Sequence, residues 1–223
     1  MVTKIYLIRH CQSMGNLDRR FQGRFDADVS PEGDKQLALL GLRFRNEPVD
    51  VIYTSPLIRA KKTALAIAQY HSQTPVREEP DLIEMDVGQM ENLRLEDIPA
   101  RWPQLAEHWD QAPDLCCFPG GETMEQVYRR ASEALDRIIA ENPGKTVIAA
   151  THGGVLKCLC AQVDFGGIGG LRDCQVFGNT SVSLLLAEEG RMSWQYKNNM
   201  DHLPEEMRKP KLLYRFERRG ELV

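Results

Sequence analysis

The sequence predicts an α/β fold, a three-layer α/β/α sandwich around a mostly parallel central sheet with an antiparallel edge strand. Along most of the chain, short apolar runs typical of strands alternate with segments of helical period, which favours parallel strands joined by helices. Near the C-terminus two extended segments follow one another, and they supply the antiparallel edge. No linker-like stretch divides the chain, so we expect residues 1–223 to form one domain with a small lid-like insertion around 89–118.

The first half of the chain contains two predicted strand–helix pairs. Residues 2–8 form an alternating, apolar run that indicates a buried strand. Residues 11–29 are polar, contain glycines and lack a helical period, which predicts a loop. Ser30-Pro31 has the chemistry of an N-cap followed by proline at the first helical position, so a helix begins there. Residues 49–53 are predicted as a second strand, and Ser55-Pro56 repeats the helix-start pattern.

The second half begins with weaker order. Residues 76–105 predict a short extended piece, followed by a polar, mostly helical stretch near 101–109. Thr123 and Gln126 have the spacing of a capping box at the start of a long helix. The apolar positions of this helix keep a 3.6-residue period and are Met124, Val127, Ala131, Leu135 and Ile138. The remaining predicted elements are a strand at 146–150, a helix at 155–163, a glycine-rich connector at 166–170, and strands at 181–187 and 192–197.

Composition excludes several classes of function. The formal net charge of -4 argues against nucleic acid as a partner, so an anionic ligand requires a local cationic pocket. The N-terminus does not resemble a signal peptide, and no apolar run reaches the roughly 20 residues of a membrane helix. We therefore expect a cytoplasmic protein without membrane contact. The six cysteines have no zinc-knuckle spacing and are expected to be reduced thiols.

Three predicted strand ends carry side chains suited to an anion. Arg9-His10 follows the first strand, Thr151-His152-Gly153-Gly154 follows the third, and Ser55-Pro56 leads into a helix with Arg59 in its first turn. Ligands of open α/β sheets lie beyond the carboxyl ends of the strands, so these segments are candidates to converge. Arginine matches phosphate oxygens in a bidentate manner, and a neutral histidine keeps a lone pair for nucleophilic attack. Together they indicate an anion-binding site in which a neutral histidine is available as a nucleophile.

Each of these features has a plainer interpretation when taken alone. A single Arg-His dipeptide is usually a surface accident, and an arginine in a helix's first turn is usually solvated. His152 alone is compatible with a hydrogen-bonded core histidine, and the glycines after it are compatible with a tight strand-to-helix turn. The combination of the three strand ends is what favours a functional site.

The sequence resembles the histidine phosphatase superfamily, also called phosphoglycerate-mutase-like, from about residue 4 to residue 203. The matching segments are Leu7-Ile8-Arg9-His10 with Asn16, Gln22-Gly23, Ser30-Pro31-Glu32-Gly33, Thr54-Ser55-Pro56-Leu57-Ile58-Arg59-Ala60, Leu82-Ile83-Glu84 with Gly88, Gly120-Gly121-Glu122-Thr123, Thr151-His152-Gly153-Gly154, Asn179-Thr180-Ser181-Val182 and His202-Leu203. They occur in the order expected for the family. The resemblance implies the phosphoglycerate-mutase-like form of the predicted sandwich.

The resemblance also implies roles for individual residues. His10 would attack phosphorus and become the phosphohistidine, and Glu84 would be the general acid and base. The residues expected to hold the phosphoryl group are Arg9, Arg59, His152, Asn16, Gln22, Gly23 and Gly153. This chemistry depends on positioning and charge stabilisation, and it implies no metal and no cofactor. The other interpretation of Glu84 is a surface carboxylate, like its neighbours Glu78, Glu79, Asp86 and Glu91.

Two positions depart from the family pattern. Cys11 stands where the family usually has glycine, and Met90-Glu91-Asn92 replaces an aromatic residue followed by Glu-Gly. A cysteine-based phosphatase would need arginine six residues after Cys11, where this chain has Leu17, so we reject that mechanism. We interpret Cys11 as a small residue in the pocket wall. The changes near Asn92 concern recognition of the leaving group and leave the phosphate chemistry intact.

Phosphatase activity on a small phosphorylated metabolite is the favoured function. Mutases of the family carry Arg and Tyr in a Glu-Arg-His-Tyr-Gly pattern, whereas this chain has Glu84-Met85-Asp86-Val87-Gly88 and a short segment from Gly88 to Gly120. Phosphoglycerate mutase activity and a non-catalytic phosphate-binding module remain the alternatives. A P-loop protein is excluded because no GxxxxGK[ST] motif occurs, and no HExxH or paired metal-ligand run supports a metal-dependent phosphatase.

The sequence leaves the substrate open among sugar phosphates, phosphoglycerates, a cobalamin precursor and phosphoproteins. Trp102, Trp109 and Met90 have two interpretations, a pocket for the leaving group or packing of the lid-like insertion. The basic tail residues Lys209, Lys211, Arg215, Arg218 and Arg219 either touch an anionic ligand or form a solvated end. His71 and His108 are predicted to lie in helices away from the site.

Overall fold

The computed structural model describes residues 1–208, so the predicted role of the basic tail lies outside the described residues. The strands are β1 (Thr3–Arg9), β2 (Arg20–Phe21), β3 (Val51–Thr54), β4 (Val76–Glu78), β5 (Leu93–Arg94), β6 (Thr146–Thr151), β7 (Val182–Glu188) and β8 (Arg191–Asn199). The helices are α1 (Met14–Leu17), α2 (Pro31–Phe44), α3 (Ile58–Ala68), α4 (Ile98–Arg101), α5 (Pro103–Gln111), α6 (Met124–Glu141), α7 (Gly153–Phe165) and α8 (Glu205–Arg208).

The central sheet of the described part has six strands in the order β4-β3-β6-β1-β7-β8. Strands β4, β3, β6 and β1 are mutually parallel, and β7 and β8 are antiparallel to their neighbours. The predicted mostly parallel sheet with an antiparallel edge is thereby confirmed. A second sheet of two strands, β2 and β5, was not predicted, because two-residue strands carry no periodic signal.

Helices cover both faces of the central sheet, which confirms the three-layer architecture. Side chains of β1 alternate between the two faces, as the period of a strand requires. Tyr6 and Ile8 pack with Leu40 and Phe44 of α2 on one face. On the other face, Ile5 and Leu7 share a core with the buried side chains of α6 and α7, among them Val127, Ala131, Leu135, Val155 and Leu159.

Two predicted helix starts are confirmed in atomic detail. The Ser30 side chain accepts a hydrogen bond from the backbone N–H of Gly33, and proline occupies the first turn of α2. Thr123 and Gln126 form the reciprocal capping box of α6. The five apolar positions predicted for the core face of α6 are all buried. In both helices the cap satisfies backbone donors that lack an intrahelical partner.

Several predicted boundaries were wrong. The predicted loop 11–29 contains α1 and β2, which are too short to show a period. Helix α3 begins at Ile58 with Leu57 as an N-cap that makes no side-chain hydrogen bond, so Ser55-Pro56 is not the helix start. Helix α7 begins at Gly153, two residues before the predicted 155, and a 3-10 helix at Ile168–Asp173 overlaps the predicted connector.

The region predicted as a lid-like insertion carries α4, α5 and β5. Its side chains Met90, Leu95 and Ile98 are buried in the same core as α6 and α7. Trp109 packs edge-on against Phe21, with ring centroids 5.4 Å apart. These contacts support packing as the role of Met90 and Trp109, while the lid-like character of residues 89–118 stays a prediction.

Of the two histidines predicted to lie in helices away from the site, one lies in a helix and the other does not. His108 lies in α5 as predicted. His71 lies beyond the end of α3, where its Nε2 is 3.0 Å from the carbonyl oxygen of Phe44.

Within residues 1–208, no helix combines the length and apolar composition required to cross a membrane.

Candidate active site

The sheet topology brings the two motif histidines together. Strands β1 and β6 are parallel neighbours, with Arg9 in register with Thr151, so His10 and His152 follow equivalent positions. The backbone N–H of His10 donates to the carbonyl of Thr151 at 2.8 Å, and the imidazole centroids are 5.1 Å apart. The predicted convergence beyond the carboxyl ends of parallel strands is therefore found.

The environment of His10 fixes which ring nitrogen is available. Its Nδ1 lies 2.6 Å from the carbonyl oxygen of Cys11, and because a carbonyl only accepts, Nδ1 carries the hydrogen. His10 is 2 % exposed, and burial, followed by the charges of Arg59 and Arg9, lowers the pKa of its imidazole well below 6.5. Nε2 consequently keeps its lone pair at neutral pH.

The depressed pKa of His10 predicts a pH dependence of folding stability. As pH falls through about 6.5, the unfolded chain takes up a proton that the folded protein does not bind, so acid favours unfolding. Each such group changes the free energy of unfolding by up to about 1.4 kcal/mol per pH unit. In urea unfolding between pH 7.5 and 5, we expect the free energy of unfolding to fall less steeply in His10→Gln than in the wild-type protein. Identical slopes would contradict the depressed pKa.

Two buried arginines flank His10. The Arg59 guanidinium is held by the carbonyl oxygens of Gly23 at 2.8 Å and Phe25 at 3.0 Å. Arg9 Nη1 donates to the carbonyl of Phe177 at 2.5 Å. Both side chains are 1 % exposed. Arg59 also lies 3.9 Å from the carboxylate of Asp26. Backbone carbonyls thus position two buried guanidinium groups beside His10, and guanidinium groups suit an anionic ligand.

The loop after β1 is held together by a side-chain network. The Asn16 carbonyl oxygen accepts from the Ser13 hydroxyl at 3.1 Å and from the Asn179 amide at 3.2 Å. Asn179 also donates to the carbonyl of His10 at 3.0 Å, and Ser13 donates to Gln22 at 2.7 Å. Asn16 and Gln22 are thus tied to the backbone of His10. Sequence reasoning gave Asn179 no role, although its motif was among the matching segments.

His152 has a partner that the sequence did not reveal. Its Nε2 lies 2.6 Å from the hydroxyl oxygen of Ser55, which follows β3, the neighbour of β6. Nδ1 of His152 is buried and has no hydrogen-bond partner among the described residues. Burial, then Arg59, His10 and Arg9, lower the pKa of His152 well below 6.5. Ser55 therefore orients a neutral imidazole instead of capping a helix.

Glu84 lies in the site, in contrast to the neighbouring carboxylates. It is 5 % exposed, and its carboxylate accepts backbone N–H groups from Met85 at 3.1 Å and Gly154 at 3.3 Å. Asp86 instead pairs with Arg24 at 3.6 Å. The surface interpretation of Glu84 is excluded by its burial. The donor from α7 is Gly154, and the phosphate-binding role of Gly153 stays a prediction.

Gly154 leaves room for the Glu84 carboxylate. A Cβ at position 154 would lie 2.6 Å from Glu84 Oε1 and 2.8 Å from Met85 Cε. Both atoms end flexible side chains, so we expect Gly154→Ala to fold, to displace the carboxylate and to lower kcat about 10- to 100-fold. Steady-state kinetics with a thermal melt test this. The control is Gly167→Ala, because nothing lies within 4 Å of a Cβ at position 167. Unchanged kcat in a folded Gly154→Ala variant would contradict the expectation.

One pocket joins most of the predicted site residues. Its lining residues are His10, Asn16, Arg20, Phe21, Gln22, Gly23, Arg59, Glu84 and Met85. Three predicted residues are not among them, namely Arg9, His152 and Gly153. Two of these still lie near His10, because the charge of Arg9 lowers the pKa of His10 and the ring of His152 lies 5.1 Å from the ring of His10. The lining residues that were not predicted are Arg20, Phe21 and Met85. Their sequence neighbourhood contains no motif or period that would indicate a place in a pocket wall.

Residues 90–92, which depart from the family pattern, are held by the backbone of Asn92 and the carboxylate of Glu91. Asn92 has a φ of 59°, a left-handed conformation that glycine adopts freely and asparagine tolerates. The Glu91 carboxylate accepts from the backbone N–H groups of Arg24 and Val87, at 2.9 and 3.2 Å. Glu91 thereby connects two segments of the site. One is the loop that contains Gly23, whose carbonyl accepts from Arg59, and the other is the segment that follows Glu84.

Cys11 is unsuited to a nucleophilic role. Its side chain is fully buried, and burial raises the pKa of its thiol to about 12. A neutral, inaccessible thiol does not attack phosphorus at neutral pH. Cys11 is not among the residues that line the pocket, so it is a small core residue and not the pocket-wall residue that the sequence suggested. Among residues 1–208, no group of three or more His, Cys, Asp or Glu side chains is arranged to hold a metal ion.

Comparison with known proteins identifies relatives over most of the chain. The sequence profile of the histidine phosphatase superfamily (branch 1) matches residues 5–200. The chain is 32% identical over 193 residues to phosphoserine phosphatase 1 of Hydrogenobacter thermophilus, covering 85% of this chain and 89% of that protein. It is 35% identical over 164 residues to the metal-independent phosphoserine phosphatase of Arabidopsis thaliana, covering 73% and 69%.

A solved structure shares the fold. YhfR of Bacillus stearothermophilus superposes with a TM-score of 0.85 at 30% sequence identity, covering 90% of this chain and 98% of that one. The predicted phosphoglycerate-mutase-like fold is confirmed by this match together with the observed sheet.

Proposed function

The chain belongs to branch 1 of the histidine phosphatase superfamily, and from that premise we propose that it is a metal-independent phosphatase acting on a small phosphomonoester. The observation that carries the proposal is the arrangement around His10. A buried imidazole with its proton fixed on Nδ1 lies beside Arg9 and Arg59 and shares a pocket with Glu84. Nucleophile, charge stabilisation and a proton donor are thereby combined in one place.

In the first half of the proposed reaction, His10 Nε2 attacks phosphorus in line with the leaving oxygen. The P–N bond forms as the P–O bond breaks, and Glu84 gives its proton to the leaving alcohol. The Cys11 carbonyl, at 2.6 Å from Nδ1, stabilises the positive charge that the ring acquires. Arg9, Arg59 and His152 would hold the equatorial oxygens, with Asn16, Gln22 and Gly23 completing the cradle.

In the second half, water replaces the imidazole on phosphorus. The Glu84 carboxylate takes one proton from the attacking water, the P–N bond breaks, and inorganic phosphate forms. The electron pair of that bond returns to Nε2, so His10 regains its neutral state. One carboxyl group therefore serves as acid and then as base, and the cycle needs no other proton carrier.

Hydrolysis is favoured over mutase chemistry by the residues after Glu84. Where the mutases carry Arg and Tyr, this chain has Met85 and Val87, which are 2 % and 0 % exposed. Apolar side chains packed in the core cannot grip a phosphoglycerate for a second transfer. Three relatives above 30% identity bear the name phosphoserine phosphatase, one of them provisionally, so we propose O-phosphoserine as the first substrate to test.

The test is product analysis in the presence of EDTA. The wild-type protein is incubated with O-phosphoserine and, separately, with 3-phosphoglycerate, and both inorganic phosphate and 2-phosphoglycerate are measured. Phosphate release that survives EDTA and is lost in His10→Ala supports the proposal. Formation of 2-phosphoglycerate in preference to phosphate favours the mutase. Absence of turnover on a broad panel of phosphomonoesters favours a non-catalytic phosphate-binding module.

A further inference from the structure

Arg20 is the cation of the pocket that the proposed phosphate chemistry does not use. It lines the same pocket as His10 and Glu84, and it is partly buried. Arg59, the other arginine among the lining residues, is assigned to the phosphoryl group. A second arginine in the wall of the same pocket is therefore available to a second anionic group on the ligand.

The position of Arg20 is set by the backbone. Its Nη1 donates to the carbonyl oxygen of Asn92 at 2.7 Å. Asn92 takes the left-handed conformation, and its N–H donates to the carbonyl of Phe21 at 2.8 Å. Arg20 itself lies in β2, paired with Arg94 of β5. The departure from the family pattern at Asn92 therefore lies directly against the side chain of Arg20.

The charge of Arg20 is not neutralised by the protein within residues 1–208, where it forms no ion pair with a carboxylate. Nearby arginines differ in this respect. Arg24 is 3.2 Å from the Glu122 carboxylate, and Arg130 is 2.8 Å from it. An arginine held by a neutral carbonyl at a pocket wall keeps donors and full charge for a carboxylate.

We propose that Arg20 is a specificity-determining residue that binds a carboxylate on the leaving group, which makes phosphorylated hydroxy acids such as O-phosphoserine the preferred substrate class. This inference rests on the proposed function. The phosphoryl group occupies the cradle beside His10, and the carboxylate of the leaving alcohol pairs with the Arg20 guanidinium. Substrates without that carboxylate lose this ion pair while keeping every contact to phosphorus.

The test compares O-phosphoserine with O-phosphoethanolamine, which lacks only the carboxylate. The readout is the ratio of kcat/KM for the two substrates. One charged hydrogen-bonded pair corresponds to about 10- to 100-fold, so the wild-type ratio should favour O-phosphoserine by that factor. Arg20→Met should lower the ratio by the same factor, and Arg20→Lys should restore part of it. Arg94→Met, at the exposed cross-strand position, is the matched control and should keep the wild-type ratio.

The outcomes separate this inference from the proposed function. A wild-type protein that hydrolyses both substrates equally, or a folded Arg20→Met variant with an unchanged ratio, overturns the assignment of Arg20 and leaves phosphatase activity intact. If Arg20→Met does not fold, the ratio of Arg20→Lys decides, because the proposal expects it to lie below the wild-type ratio and an unchanged ratio overturns the assignment of Arg20. A wild-type protein that hydrolyses neither substrate overturns both proposals.

Discussion

Replacing His10 by glutamine is expected to lower kcat/KM for phosphomonoester hydrolysis by about ten-thousand-fold or more, as for loss of a nucleophile. Glutamine keeps an amide near the Cys11 carbonyl, which lies 2.6 Å from Nδ1, but it offers phosphorus no ring nitrogen. The measurement is inorganic phosphate release in EDTA with enzyme in excess. Circular dichroism and a thermal melt establish that the variant folds.

A matched histidine elsewhere in the chain controls for general effects of the substitution. His108 lies in α5, partly exposed, and is not among the residues that line the pocket. We expect His108→Gln to retain kcat/KM within about two-fold, as surface changes usually do. Comparable losses in both variants, or substantial activity in His10→Gln, would remove His10 from the role of nucleophile.

Replacing Glu84 by glutamine is expected to lower kcat for O-phosphoserine about 100- to 10,000-fold, since proton transfer contributes that much to catalysis. The amide oxygen can still accept the N–H of Met85, so the local geometry is retained. With 4-nitrophenyl phosphate, whose leaving group needs no proton, the loss in the first step should be much smaller. The comparison of the two substrates in pre-steady-state kinetics is the measurement.

The control for this prediction is an exposed carboxylate of the same region. Glu78, in β4, forms a surface ion pair with Lys61 at 2.7 Å. Because exposed pairs contribute little, we expect Glu78→Gln to preserve both activity and stability. An equal loss of activity for good and poor leaving groups in Glu84→Gln would argue against general acid catalysis and for a purely positional role.

Much of the site could be predicted because it depends on topology. His10 and His152 follow neighbouring parallel strands, and the rule that ligands lie beyond carboxyl ends of strands applies to both without knowledge of any contact. The period of α6 and the caps at Ser30 and Thr123 were predictable for a similar reason, since they depend on residues close in sequence.

The rest depends on contacts between distant residues. Ser55 precedes proline and therefore matches a helix start, yet its hydroxyl lies against His152, 97 positions away. Gly154 was predicted only as part of a motif, and its contact with Glu84 spans 70 positions. Arg20 lies in a polar segment without period, so only the pairing of β2 with β5 reveals its place in the pocket.

The central claim is that phosphate passes through a covalent intermediate on His10. The most direct measurement is rapid quenching of the Glu84→Gln variant with 4-nitrophenyl phosphate in EDTA, because this leaving group needs no proton while hydrolysis of the adduct still lacks its base. Intact mass and peptide mass spectrometry follow under alkaline conditions that preserve phosphohistidine. We predict a phosphoryl adduct on the peptide that contains His10, absent from His10→Gln. Phosphate release without any adduct, or an adduct on another residue, would contradict the account.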